Sequence, residues 1–192
     1  MKRILLFIAL FSAGAFGQSN PWAQKFIQTM NDSSGVSIAL KIEQRQFDSI
    51  STESGQIEIL KKKHYILDLP TESVFVRGDT IQTWNKLTNQ LIIDQTIPGE
   101  VNIFDLLTGD FDDVKFGQPS KRKNNVQMDF DLPQMGYGGE LIIKKNGEPN
   151  SVRVVYGPDQ SVLLTIKNFK KGNLNLYNGF NPKDAEVIDL RE

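Results

Sequence analysis

A mainly β, α+β fold built on one antiparallel sheet is what this sequence predicts, and three observations predict it. Apolar and polar residues alternate over most of its length, turn residues punctuate the alternating runs, and only two segments carry helical spacing. Ile38, Leu40 and Ile42 are interleaved with Ala39, Lys41 and Glu43; Ile57 and Ile59 with Gln56 and Glu58; Tyr65, Leu67 and Leu69 with Ile66 and Asp68. Val126, Met128 and Phe130 alternate with Gln127, Asp129 and Asp131. The last third repeats the theme at Leu141 and Ile143, at Val152, Val154 and Tyr156, at Val162, Leu164 and Ile166, and at Leu174 and Leu176. A period of two puts successive side chains on opposite faces, so each run is a strand with one dry side and one wet side. Between the runs stand turn formers: Ser54-Gly55, Arg77-Gly78-Asp79, Thr88-Asn89, residues 136–139, Asn146-Gly147, Gly157-Pro158-Asp159 and Lys171-Gly172-Asn173. Roughly ten strands joined by short hairpins make an antiparallel meander.

The two helical segments are short. Residues 21–30 read as the first: Asn20 can cap it, Pro21 suits its first turn, and Trp22, Phe26, Ile27 and Met30 share a face. Residues 102–107 are the second, with Val101, Phe104, Leu107 and Phe111 at helical spacing and Gly109 to end it. Such helices cannot cover the whole dry face of a single-layer sheet. The sheet therefore either curls into a barrel or forms an open trough under a partial helical lid. Both enclose an apolar interior with room for an apolar ligand.

The N-terminus predicts the compartment. Lys2 and Arg3 precede an apolar run over residues 4–11, and Ala15-Phe16-Gly17 offers the small residues that a signal peptidase reads. Residues 1–17 are thus expected to be a cleaved secretory signal peptide, leaving 18–192 as one exported domain. The net charge of −1 becomes more negative once Lys2 and Arg3 are removed, which argues against a nucleic-acid partner. Cysteine is absent from the sequence, so no disulfide staples the fold and no lipidated cysteine anchors it. A soluble domain held by its hydrophobic core is the expectation.

Several motifs, in their order and spacing after the signal, resemble the LolA family of periplasmic lipoprotein carriers. Gly55-Gln56-Ile57-Glu58-Ile59-Leu60-Lys61-Lys62-Lys63-His64-Tyr65 resembles that family's strand, basic turn and strand. Gly78-Asp79-Thr80-Ile81-Gln82-Thr83-Trp84-Asn85 is similar to its next hairpin, with a matching strand over residues 91–94. Asn102-Ile103-Phe104-Asp105-Leu106-Leu107-Thr108-Gly109 resembles its lid helix, and Phe180-Asn181-Pro182-Lys183 with Val187-Ile188-Asp189-Leu190 its closing strands. Arg77 stands where the family usually has Asp, and Ile103 where Pro is common.

The resemblance implies an unclosed half-barrel of antiparallel strands with helices lying across an apolar cavity. It implies a monomeric chaperone, without a cofactor, that shelters lipoprotein acyl chains between an inner-membrane lipoprotein-releasing transporter and an outer-membrane acceptor. A carrier of another lipid or glycolipid on the same fold is the alternative. The inward strand positions Ile57, Ile59, Leu67, Leu91, Ile93, Val154, Leu164 and Ile166 would form the trough floor, and Phe26, Ile27, Phe104 and Leu107 would line the lid. Each also fits a plain core position. Trp84 has the other parity from Ile81 and Thr83 and is assigned to neither face. The family tethers its lid with a basic residue after the strand that ends at Leu60, which points to Lys61 or Lys62; a solvated hairpin tip accounts for the same lysines.

Catalysis is poorly supplied. His64 is the single histidine, there is no thiol, and no serine sits in a G-x-S-x-G elbow, which weighs against a secreted hydrolase. Asp110, Asp112 and Asp113 read as a solvated loop, and Asp129 with Asp131 as the wet face of a strand; no calcium-loop spacing accompanies them, and no metal site is expected. An outer-membrane barrel would need longer strands and aromatic girdles. Arg77-Gly78-Asp79 is ordinary hairpin chemistry, Asn31-Asp32-Ser33 marks an exposed loop, and Lys121-Arg122-Lys123 reads as a turn.

Overall fold

The computed structural model describes residues 20–97, 102–111 and 114–191. The expected signal peptide, together with Val101, Asp112 and Asp113, lies outside the described residues. The chain begins with α1 (Pro21–Met30), β1 (Val36–Gln46), β2 (Ser49–Lys61), β3 (His64–Asp68), β4 (Glu72–Arg77), β5 (Thr80–Asn85) and β6 (Gln90–Gln95). It continues through α2 (Ile103–Leu107), β7 (Lys115–Phe116), β8 (Ser120–Lys121), β9 (Asn125–Leu132), β10 (Tyr137–Lys144), β11 (Pro149–Gly157) and β12 (Gln160–Lys171). α3 (Asn175–Gly179) and β13 (Glu186–Asp189) follow.

The local reasons for the first two helices are those read from the sequence. The Asn20 side chain accepts from the Trp22 and Ala23 amides, with proline in the first turn of α1. Asn102 caps α2 and Asp105 returns the bond to the Asn102 amide, a closed capping box. Arg77-Gly78-Asp79 is the tip of the β4–β5 hairpin, where Gly78 takes a φ of +69°.

The strands form a single curved, unclosed sheet in the order β13-β6-β5-β4-β3-β2-β1-β12-β11-β10-β9-β7, with β8 also paired to β9. This is the half-barrel architecture implied by the likeness to the carrier family. It is not one meander. β1 to β6 form one run and β9 to β12 another, and the two are joined where β1 pairs with β12 along its whole length. β1 can sit at the centre because its Val36, Ile38 and Leu40 are fully buried between two neighbours. At Lys167 the β1–β12 register slips by one residue, the kind of bulge that bends a strand and curves a sheet. β13 departs from the antiparallel expectation, running parallel to β6.

Register sorts the side chains into two faces. On the concave side Ile57 lies opposite Leu67, which lies opposite Val74; further along, Leu164 pairs with Val152, Val152 with Leu141, and Leu141 with Met128. α1 adds Ala23, Phe26 and Met30 to this core, and α2 adds Ile103, Leu106 and Leu107. A run of aromatic rings crosses the interior: Phe26 stacks on Phe111 at 5.4 Å, Phe111 meets Phe116 edge-on at 4.9 Å, and Phe116 meets Phe130 at 6.2 Å. Gly139 makes room for it, because a Cβ there would fall 2.7 Å from the Phe130 ring and closer still to the Arg153 carbonyl.

Leu174 and Leu176 correct the sequence reading. They flank and enter α3 instead of a strand. Tertiary contacts override the alternation: Leu174 is buried against Gly35, and the Tyr177 amide of α3 donates to the buried Glu58 carboxylate at 2.9 Å. Phe75 packs against Tyr177 and stacks on Phe180 at 4.8 Å, so the C-terminal segment covers part of the convex face.

Candidate functional site

The concave face is the candidate site, and its floor is close to the one expected. Ile57, Ile59, Leu67, Val154 and Leu164 are buried there and Ile166, opposite Leu40, is half-buried. Leu91 and Ile93 are corrections. Leu91 pairs with Trp84 and Ile93 with Gln82, and Gln82 pairs with Phe75, so both leucine and isoleucine point to the convex side. Ile92 takes the inward position, opposite Thr83. The run Leu91-Ile92-Ile93 is apolar throughout and has no alternation to read; β13 pairs along the edge of β6. Trp84 is settled by the same register: it faces outward and its indole donates to Asn89 at 3.0 Å.

α1 and α2 supply the covering residues as expected. Phe26 and Leu107 are fully buried, while Ile27 and Phe104 are half-buried. Just past the end of α2, Gly109, with φ of +81°, passes Ile27 of α1. Beneath α2, Leu106 and Phe111 fill the gap down to Phe130, Leu141 and Val152, leaving no space for even a water molecule. Among the described residues, this part of the interior is thus plugged by the protein's own side chains, where the trough expectation held it open. An empty apolar cavity forfeits its packing contacts, so short covering segments collapse into it. Space opens at the edge of the plug. A cleft of about 340 Å³ lies between the start of α2, at Asn102 and Asp105, and the rim residues Ile81, Ile97, Tyr137 and Tyr156.

Polar contacts fasten the plug. The Tyr65 hydroxyl lies 3.4 Å from both Asp105 Oδ1 and Asn102 Nδ2, joining β3 to the first turn of α2. Burial pushes the Asp105 carboxyl above its ordinary value of 3.8, and burial with the Asp105 charge pushes the Tyr65 phenol up as well. Lys62, one of the two lysines expected as tether, reaches Asp110 at 2.8 Å, just beyond α2. Lys61 does not take part; it is exposed and lines a cleft on the convex side. Sequence reasoning missed Tyr65 as a fastener, since its place in an alternating strand read only as core, and it missed Phe111 and Phe116 as plug.

The carboxylates separate. Asp110 is ion-paired, whereas Asp129 sits exposed along β9. Among the described residues no group of three or more His, Asp or Glu side chains is arranged to hold a metal ion. No described helix is long and apolar enough to cross a membrane.

Solved structures share this fold. An uncharacterized conserved protein from Thermus thermophilus superposes at a TM-score of 0.59, with 14% identity over 87% of this chain and 98% of that one. A DUF1329 family protein from Desulfovibrio piger gives 0.50, with 8% identity over 82% and 95%. A LolA superfamily protein from Nitrosomonas europaea gives 0.47, with 10% identity over 82% and 96%. At such identities the likeness is one of fold. No protein-family model matches the sequence, and no curated protein matches it significantly.

Proposed function

We propose that this protein is a non-enzymatic carrier of acyl chains, and that its cargo is the lipid moiety of lipoproteins. One observation carries the reading: a curved apolar face is plugged by side chains on short, polar-fastened segments, with an open cleft beside them. A permanent core would be closed by a second layer. Here, beside α1, the closing pieces are the five-residue α2 and Phe111 after it, held by long hydrogen bonds and an ion pair of modest worth. Hydrocarbon entering at the cleft replaces Phe111 and Leu106 one apolar surface for another, so the exchange is nearly neutral for the protein. It is strongly favourable for the ligand, at about 0.8 kcal/mol per buried methylene. Several long chains free in water would cost tens of kcal/mol on that scale, roughly the barrier that a carrier exists to remove.

The N-terminal sequence supports export, and the resemblance to the LolA family supports the wider role in the periplasm: loading at an inner-membrane lipoprotein-releasing transporter and delivery to an outer-membrane acceptor. A carrier of another lipid or glycolipid would use the same plug. Mass spectrometry of organic extracts, together with crosslinking in the producing cell, separates the two. Lipoprotein peptides crosslinked to the protein support the first reading, and a lipid without peptide supports the second. Extracts free of lipid, from protein that also fails to take up added acyl chains, would remove both.

A further inference from the structure

A cleft of about 770 Å³ lies away from the plugged interior, on the convex face. Its floor is a row across four strands. Lys61 on β2 lies opposite His64 on β3, His64 opposite Arg77 on β4, and Arg77 opposite Thr80 on β5. The bulge at Leu60 in β2 brings Lys61 into that row. Lys61 and Arg77 thus flank the His64 ring from the two neighbouring strands, and this row contains no acid. Neither Lys61 nor Arg77 forms an ion pair with any described residue. Burial first, and then the charges of Lys61 and Arg77, push the His64 pKa below its ordinary value of 6.5. Arg191 completes the rim, its guanidinium already engaged by Asp189 at 2.7 Å. Phe75, Tyr177 and Phe180 form an aromatic wall beside the cations.

We propose that this cleft binds a phosphate group carried on a larger body. Two unpaired cations match a phosphate ester, which carries about −1 to −2 charges. Arg77 offers a planar fork for its oxygens, and the Thr80 hydroxyl, the Gln82 amide and the His64 ring N–H offer further donors. The volume exceeds what phosphate alone would fill, and the aromatic wall provides for the rest of the ligand. Two cations set around one imidazole by strand register, in a chain whose net charge is −1, differ from a scatter of surface lysines. Two sources share this chemistry: the headgroup of an anionic phospholipid at a membrane surface, and a soluble phosphomonoester. The site does not depend on the acyl-carrier reading, because it lies on the opposite face of the sheet.

The test compares wild type, Arg77→Gln, Lys61→Gln and a control that removes equal charge elsewhere, Arg122→Gln. Each is measured with phosphatidylglycerol/phosphatidylcholine vesicles, with phosphatidylcholine vesicles, and with glycerol 3-phosphate followed by NMR at the His64 ring. A membrane headgroup source predicts binding to the anionic vesicles that drops about tenfold in Arg77→Gln and Lys61→Gln and is unchanged in Arg122→Gln. A soluble source predicts saturable shifts at His64 with glycerol 3-phosphate, lost in the same two variants. Circular dichroism confirms folding, and Arg77→Lys, which keeps the charge without the fork, recovers part of the loss. The proposal is overturned if wild type binds neither probe, or if Arg122→Gln weakens binding as much as Arg77→Gln.

Discussion

Asp105 joins three roles in one side chain: it closes the capping box of α2, meets the Tyr65 hydroxyl and sits half out of water near Asp110 and Lys63. Its pKa in the closed state is raised above 3.8, mainly by burial. The closed state therefore holds the proton more tightly than an open or unfolded state, in which the carboxyl is solvated. The closed arrangement is most favoured below pH 3.8 and loses that advantage as pH rises through the raised value. Hydrogen exchange of the α2 amides should accordingly quicken as pH is raised across that window, after correction for intrinsic rates. Asp105→Asn, which keeps an acceptor for the cap and cannot ionise, should flatten the profile. An unchanged profile in that variant would assign the pH response to another group.

Ile81 offers a second test at this scale. Leu164 and Ile59 are wholly buried, so a charge at either would threaten the fold before it reported on cargo. Ile81 is half-buried at the cleft beneath Tyr137 and Tyr156, where a glutamate can reach water. Ile81→Glu should weaken uptake of a fluorescent fatty acid at least tenfold while lowering the unfolding free energy by about 1 kcal/mol or less. Full uptake by this variant would show that ligand does not enter there.

Among the elements, α2 decides between core and plug. It is five residues long and owes its start to Asn102, whose side chain accepts from the Phe104 and Asp105 amides at 2.8 and 2.9 Å. Removing such a cap costs about 1 kcal/mol. If α2 is a displaceable plug, Asn102→Ala should speed uptake of the fatty-acid probe several-fold with a small loss of thermal stability. If α2 is plain core, stability should fall and uptake should not change. Both this helix and α1 were legible in the sequence, because capping and proline placement act within a few residues. The strands were legible wherever one face was wet. Reading failed where local pattern carries no face: Leu91, Ile92 and Ile93 are apolar in a row and show no period, and α3 forms through contacts with Glu58 and Phe75, more than a hundred positions away in the chain. Lys62 as a tether came from family likeness, and its partner Asp110 could not be read from local spacing.

At the scale of the molecule, curvature explains why one sheet has two different surfaces. The concave side gathers nearly all of the buried hydrophobic residues, and α1, α2 and Phe111 pack against it. The convex side is partly roofed by the C-terminal segment through Tyr177, Phe180 and β13, and keeps a basic cleft beside them. Hydrocarbon and anion sites on opposite faces would let a single layer engage two ligands without competition. That division is physical, since an acyl chain needs a dry enclosure and a phosphate needs donors and cations.

Paramagnetic NMR with stearic acid spin-labelled near its methyl end tests the central claim most directly. Uptake into the concave interior predicts saturable broadening of methyl signals from Leu164, Val152 and Ile59, together with loss of the Phe111 contacts to Phe26 and Phe116. Broadening confined to exposed methyls such as those of Leu87 and Val187, with the inner signals and the Phe111 contacts intact at saturating ligand, would contradict it.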